Sequence, residues 1–316
     1  MARLEELTGE LEALWRERGD LWYLQFTLLE SAFVPIGRAR WDEAAERLGD
    51  AVAINGRVRD PLAEALMLDA LCWLHRSRGA YAQALSAGRR AVALSADGTW
   101  GGWTAATLGW TLLDVGAAAE AAEVLDRGVA AGERVGAPNE IVRCLGQLAW
   151  ARLLLGARDE ASVDASRAEG LLQRAAAPEG DAFLFGAQAY AATARVLVCT
   201  GAPERAEQLV RPVWTAAERT GWCEAAASTA LVAGLSLEAR GELDRARAAI
   251  ARAAELSDDH GIPAPGWEAH AALARLALES DEVDEHAAAA EAIVKRMSAG
   301  LGDERLRDRL RERAKA

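Results

Sequence analysis

The chain has 316 residues, of which 51% are hydrophobic and 27% charged, with a formal net charge of −12. That apolar content, with only 8 prolines, excludes a disordered chain. The acidic balance argues against nonspecific binding to nucleic acid or an anionic membrane. Abundant alanine, sparse Val and Ile and the lack of alternating apolar runs point to helix throughout.

In chain order, Arg3 to Arg18 carries an apolar stripe at Leu4, Leu7, Leu11, Leu14 and Trp15, the period of an amphipathic helix. Leu21 to Phe33 is more apolar and predicts a buried helix closed by Pro35 and Gly37. A return helix over Arg40 to Ile54 follows. Asp60-Pro61 starts the next, with Asp as N-cap and Pro at the first helical position. Further pairs are predicted at Pro61–Arg78 with Tyr81–Leu94, Trp100–Val115 with Ala118–Arg134, and Asn139–Leu155 with Asp159–Ala176. A turn over 177–180 leads to Ala182–Thr200 with Pro203–Thr220, in which Pro212 predicts a kink. Trp222–Arg240 pairs with Leu243–Ser257, a loop spans Asp258 to Pro263, and a weaker pair covers Trp267–Leu278 and Val283–Met297. Asp303 caps a charged terminal helix through Leu306 and Leu310.

One step recurs through these pairs: Gly79/Ala84, Gly116/Ala121, Gly156/Ala161, Gly201/Ala206 and Gly241/Ala246, with Ala39/Ala44 in the same register. Glycine suits the turn between two antiparallel helices, and an alanine five residues later lets the neighbour nest, so the five later alanines are expected to be buried. The fold class predicted is all-α, an α-solenoid of about seven antiparallel hairpins whose stacking builds one continuous core. Residues 1–19 and 301–316 are expected as capping helices around repeats at 20–300.

These residues resemble the tetratricopeptide repeat family, best at Leu68, Leu71, Cys72, Gly79, Tyr81 and Ala84, and again at Gly109-Gly116-Ala121 and Gly234-Gly241-Ala246. Successive steps from Ala39 are 40, 37, 40, 45 and 40 residues, longer than the family's own period. Such long repeats look like the helical C-terminal regions of large bacterial LuxR/MalT-type transcription regulators and of cyclase–ATPase proteins. No nucleotide-binding loop of the G-x-x-x-x-G-K type and no helix-turn-helix accompanies them.

The resemblance implies that certain first-helix positions face a concave groove. Six residues before the turn these are Phe33, Trp73, Trp110, Trp150, Arg195 and Leu235, and thirteen before it they include Trp103, Arg143 and Gln188. Asp69, Arg76 and Asp114 add charge beside the tryptophans. The candidate groove is therefore Phe33, Asp69, Trp73, Trp103, Trp110, Asp114, Arg143, Trp150, Gln188 and Arg195. Tryptophan offers large contact area at low entropy cost, and Arg143 or Arg195 can hold a carboxylate or phosphate. The same side chains can instead fill a tightly curled stack, so core packing and ligand groove both stand.

No catalytic motif is present, and no metal or cofactor is expected. Cys72 and His75 share a helix face without a second pair. His260, His270 and His286 are isolated in sequence, and all four cysteines lie in apolar helical stretches that suit buried thiols. The expected function is a non-catalytic scaffold or sensor that binds a protein or peptide partner in bacterial signalling or transcription regulation. The alternative is a Trp-lined small-molecule pocket. A cytoplasmic location is expected, with no direct nucleic acid or membrane partner, and self-association through flat solenoid ends stays open.

Overall fold

The computed structural model describes residues 2–95, 98–175 and 186–314, apart from the side chains of residues 2 and 175. Among these there are sixteen helices and no strand. Helix α1 (Ala2–Arg18) precedes seven antiparallel hairpins: α2 (Leu21–Gly37) with α3 (Trp41–Val58), α4 (Pro61–Ser77) with α5 (Tyr81–Ser95), α6 (Gly101–Asp114) with α7 (Ala118–Val135), α8 (Pro138–Leu154) with α9 (Arg158–Ala175), α10 (Ala187–Cys199) with α11 (Pro203–Thr220), α12 (Cys223–Ala239) with α13 (Leu243–His260), and α14 (Pro263–Leu276) with α15 (Ser280–Ala299). Helix α16 (Glu304–Arg313) closes the order. The fold is a TPR-like α-solenoid. No helix among the described residues is long and apolar enough to cross a membrane.

The turn glycines explain the register. Gly79, Gly116, Gly156, Gly201 and Gly241 all sit at φ between +74° and +90°, the left-handed region that costs an L side chain energy and glycine little. Ala39, the alanine in that register, takes φ 56° all the same. Ala84, Ala121, Ala161, Ala206 and Ala246 are each fully buried.

A second rule fixes how each hairpin closes. The residue seven before the turn faces the residue nine after it. A Cβ added to Gly109 would lie 2.5 Å from Leu125, one on Gly234 would lie 2.4 Å from Ile250, and one on Gly88 would lie 2.8 Å from Cys72. In the first two the first helix supplies the small residue. In the third the sizes are exchanged, Cys72 on α4 and Gly88 on α5. Paired size, not identity at either site, is what close packing demands.

Several boundaries differ from expectation. Helix α2 runs through Pro35 to Gly37, because a proline lacks only its own N–H and the final turn is held by Arg38 N–H to the Val34 carbonyl at 3.0 Å and Arg40 N–H to the Pro35 carbonyl at 2.8 Å. Pro212 likewise lies within one helix, α11. The loop expected over 258–263 shrinks to Gly261 and Ile262, since α13 continues to His260 and ends on Gly261 at φ +65°. Trp267 lies inside α14 instead of starting it. The predicted turn at 177–180 and the helix start at Ala182 lie outside the described residues.

The stack coils until it meets itself. A Cβ on Gly37, at the end of α2, would stand 2.5 Å from the Trp222 ring; one on Gly79 would stand 3.2 Å from Pro263; one on Gly116 would stand 3.2 Å from the Arg309 carbonyl. The turns of the first three hairpins thus touch, in order, the start of α12, the start of α14 and helix α16. Each contact spans roughly 185 to 195 residues, as expected when one superhelical revolution takes about five of these long repeats. Arg38 Nε donates to the Thr220 carbonyl at 3.1 Å, and Trp41 Nε1 to the His260 carbonyl at 3.2 Å, across the same seam. Helix α16 occupies the place where an eighth hairpin would begin.

Candidate functional site

Coiling turns the concave face into a narrow lumen. It is lined by Trp73 and Arg76 of α4, Trp110 and Asp114 of α6, Gln147 and Trp150 of α8, Gln188 and Arg195 of α10, Glu224 of α12, Glu268 of α14 and Arg313 of α16, with Trp222 at the seam. The concave face, expected either as a ligand groove or as packed core, holds a partly enclosed pocket with about 60 Å³ of free space. That is room for a few waters.

Two ionic clusters dominate the walls, the first buried and the second partly buried. In the first, the Glu224 carboxylate accepts from Trp73 Nε1 at 3.2 Å, from Ser77 Oγ at 2.8 Å and from Arg76 Nη1. Arg76 Nε reaches Asp114 Oδ2 at 2.7 Å, and Tyr81 O–H donates to the same carboxylate oxygen at 3.2 Å. The Arg76 guanidinium also lies 3.1 Å from the Trp110 ring centre. Its side chain is 1% exposed, and a charge so buried persists only because it is paired and hydrogen-bonded. Burial pushes the Tyr81 hydroxyl well above its ordinary value, with the Asp114 charge adding to the effect.

In the second cluster Glu268 bridges two arginines, accepting from Arg195 Nη1 on Oε2 and from Arg313 Nη2 on Oε1 at 2.7 Å. Burial alone would push the Glu268 carboxyl up, but the two guanidinium groups and the hydrogen bond from Arg195 together hold it below the usual carboxylate range. Arg195 sits 5.6 Å from the Trp150 ring centre and Arg313 sits 5.3 Å from that of Trp267.

Of the sequence candidates, Trp73, Trp110, Asp114, Trp150, Gln188 and Arg195 reach this lumen. Phe33 is half-buried and packs against Trp73 with ring centres 6.0 Å apart. Asp69, Trp103 and Arg143 do not line the lumen; they form a neighbouring cluster of their own. Trp103 Nε1 donates to Asp69 Oδ2 at 3.0 Å, and the Arg143 guanidinium stacks 3.8 Å from the Trp103 ring centre. Burial pushes the Asp69 carboxyl up to about 6, against the pull of Arg143 and the hydrogen bonds from Thr107 and Trp103. Glu140 completes this cluster by accepting from the Gly102 and Trp103 N–H groups at 2.9 and 3.2 Å. It caps the start of α6, whose own N-cap residue Trp100 makes no side-chain cap.

Sequence reasoning missed Glu224, Glu268, Arg313, Gln147 and Trp222. A usable signal existed for Glu224, a carboxylate in the first turn of α12, a helix whose next thirteen residues carry no charge. For Arg313 there was none, because its partners lie in α6 and α14. Cys72 and His75 do not converge: Cys72 Sγ meets Thr111 Oγ1 at 3.3 Å, and His75 Nδ1 meets Arg78 Nη2 at 3.0 Å. Burial raises the Cys72 and Cys144 thiols to about 12. Cys199, expected to be buried, is exposed at the end of α10.

The fold is shared with solved helical-repeat proteins. The crystal structure of a Rap protein complexed with Competence and Sporulation Factor is similar over 97% of this chain and 80% of its own, at 13% identity and a TM-score of 0.62. The apo form of the quorum sensor NprR from B. thuringiensis is similar over 98% of this chain and 94% of its own, at 11% identity and a TM-score of 0.50. No protein family model matches the sequence, and no curated protein matches it.

Proposed function

We propose that this chain is a non-catalytic sensor scaffold whose lumen receives part of a peptide or protein partner, in bacterial signalling or transcription regulation of the kind served by LuxR/MalT-type regulators. The observation that carries this reading is convergence: six first helices and α16 direct four tryptophans and six charged side chains at one small space. Each carboxylate there accepts from an arginine, an arrangement suited to recognition and not to proton transfer. A Rap protein with a bound factor and the quorum sensor NprR, both of this fold, support a sensing role. Because the lumen is narrow, a bulky guest is better received by a more open coil, which couples binding to curvature. In this reading residues 1–19 and 301–316 cap the repeats, and free cysteines suit a reducing cytoplasm.

The test is selection of peptides from a displayed random library on the folded protein, followed by rebinding to Trp110→Ala. Loss of binding with an unchanged helical circular dichroism spectrum is expected. Equal binding by the variant places recognition outside the lumen and overturns the proposal. The enclosure itself, about 60 Å³ of free space, favours a second reading, a compact aromatic small molecule stacked on Trp110 and Trp150. Saturable tryptophan quenching by such a molecule, with no peptide recovered, would select it.

A further inference from the structure

Helix α16 does more than end the stack. Leu306 and Leu310 bury its apolar side, and its Arg309 carbonyl rests close on Gly116, where a Cβ would stand 3.2 Å from it. Its last residue, Arg313, enters the lumen. There Nη1 donates to the Leu113 carbonyl at 2.5 Å and the Asp114 carbonyl at 3.4 Å, while Nη2 donates to Glu268 Oε1 at 2.7 Å.

All these acceptors belong to the solenoid wall. Leu113 and Asp114 form the last turn of α6, the negative end of its helix dipole. Glu268 projects from α14, and the Trp267 face supplies a cation–π surface 5.3 Å from the guanidinium. Charge says the same thing. The lumen lining holds Arg76, Arg195 and Arg313 against Asp114, Glu224 and Glu268. Without Arg313 two cations face three anions, and a partly desolvated wall with one uncompensated carboxylate selects a cation.

We infer that Arg313 is an internal pseudo-ligand: α16 plugs a cation cradle formed by Glu268, the Leu113 and Asp114 carbonyls and Trp267, and a ligand bearing a guanidinium or ammonium group displaces it. This rests on the lumen being the ligand site. The class of ligand follows from the donor it replaces, and release of the ten-residue α16 from the seam is the conformational output. The wall acceptors are held by the hairpins and stay in place. The helix is short and unpaired: it docks through Leu306, Leu310, the Arg309 carbonyl, this arginine and Ala314 just past its end, without a partner helix of its own hairpin, so it is the part that yields.

The probe is acetyl-arginine amide, a guanidinium without a carboxylate, with neutral acetyl-citrulline amide as control. The two proteins are the full chain and Arg313→Gln. An occupied site weakens apparent affinity by the fraction of molecules in which it is free, so emptying it strengthens probe binding by about tenfold when the plug is about nine-tenths seated. The citrulline analogue binds neither protein. Amide hydrogen exchange, read separately, speeds up across residues 304–313 in Arg313→Gln while hairpins two to six keep their protection. Arg313→Lys, which keeps the charge and loses the fork, falls between. Equal probe affinity in both proteins, binding to neither, or α16 amides as protected in Arg313→Gln as in the parent overturns the inference. The exchange measurement needs no lumen ligand. Failure of the plug is therefore distinguishable from failure of the lumen as a binding site, which the Trp110→Ala comparison reports.

Discussion

Asp69 shows what a single buried charge does to this protein. Its side chain is 4% exposed, and its carboxyl titrates near 6 against an ordinary value of 3.8. A carboxyl raised on folding adds stability that is present below about 3.8 and is lost as the pH rises through about 6, because the folded state holds the proton longer. The interval is roughly two pKa units, worth about 3 kcal/mol. Asp69→Asn removes this dependence while keeping an oxygen for Trp103 Nε1. Denaturant unfolding at pH 4 and pH 7 is expected to show the stability of the Asn variant rising by about 2–3 kcal/mol relative to the parent. A gap that stays constant between the two pH values contradicts the assignment. Asp69 was legible in sequence as a charge beside tryptophans. Its separation from the lumen was not, because that depends on Trp103 and Arg143 from the next two hairpins closing over it.

At the scale of the helix pair, the sequence was most informative where packing is local. The Gly-to-Ala step found the turns, and the structure places a left-handed residue at each. The size rule seven before and nine after the turn was hidden because it is a property of pairs: Cys72 with Gly88 and Gly109 with Leu125 satisfy it with opposite residues. Prolines misled for a related reason. Pro35 and Pro212 each remove one hydrogen bond, and the packed neighbours keep the helix continuous. A double-mutant cycle tests the size rule. Gly109→Ala sets a Cβ 2.5 Å from Leu125, an overpacking expected to cost about 1–3 kcal/mol before the gain in helix propensity. Adding Leu125→Ala recreates the alanine pair found at Ala149 and Ala165 in the fourth hairpin. The double variant is expected to be more stable than the sum of the single effects predicts by about 1 kcal/mol or more. Additivity within error means that the two positions do not share one space.

The closure of the coil belongs to the whole molecule and was beyond reach of any repeat register. A register assigns each helix a face but not the pitch of the stack, and the residues that lock the seam lie about 150 residues apart. Glu224 is the central lock, since three donors of α4 converge on its carboxylate: Trp73, Arg76 and Ser77. Glu224→Ala leaves Arg76 buried with Asp114 alone, and removing one member of a buried ionic cluster costs about 3–5 kcal/mol. Because the lost contacts join the second hairpin to the sixth, the variant should also open, seen in solution scattering as a larger radius of gyration at unchanged helix content. Local destabilisation alone would lower the unfolding midpoint without that expansion. Replacing all three charges, Glu224→Leu with Arg76→Met and Asp114→Asn, separates the two effects, since neutral substitutes of similar size remove the desolvation penalty and leave no buried carboxylate without its cation. The triple variant is expected to regain most of the stability and, by packing across the seam, the compact radius. A triple variant that recovers stability but stays expanded would show that the ionic cluster, not apolar contact at Gly37 and Trp222, holds the coil shut.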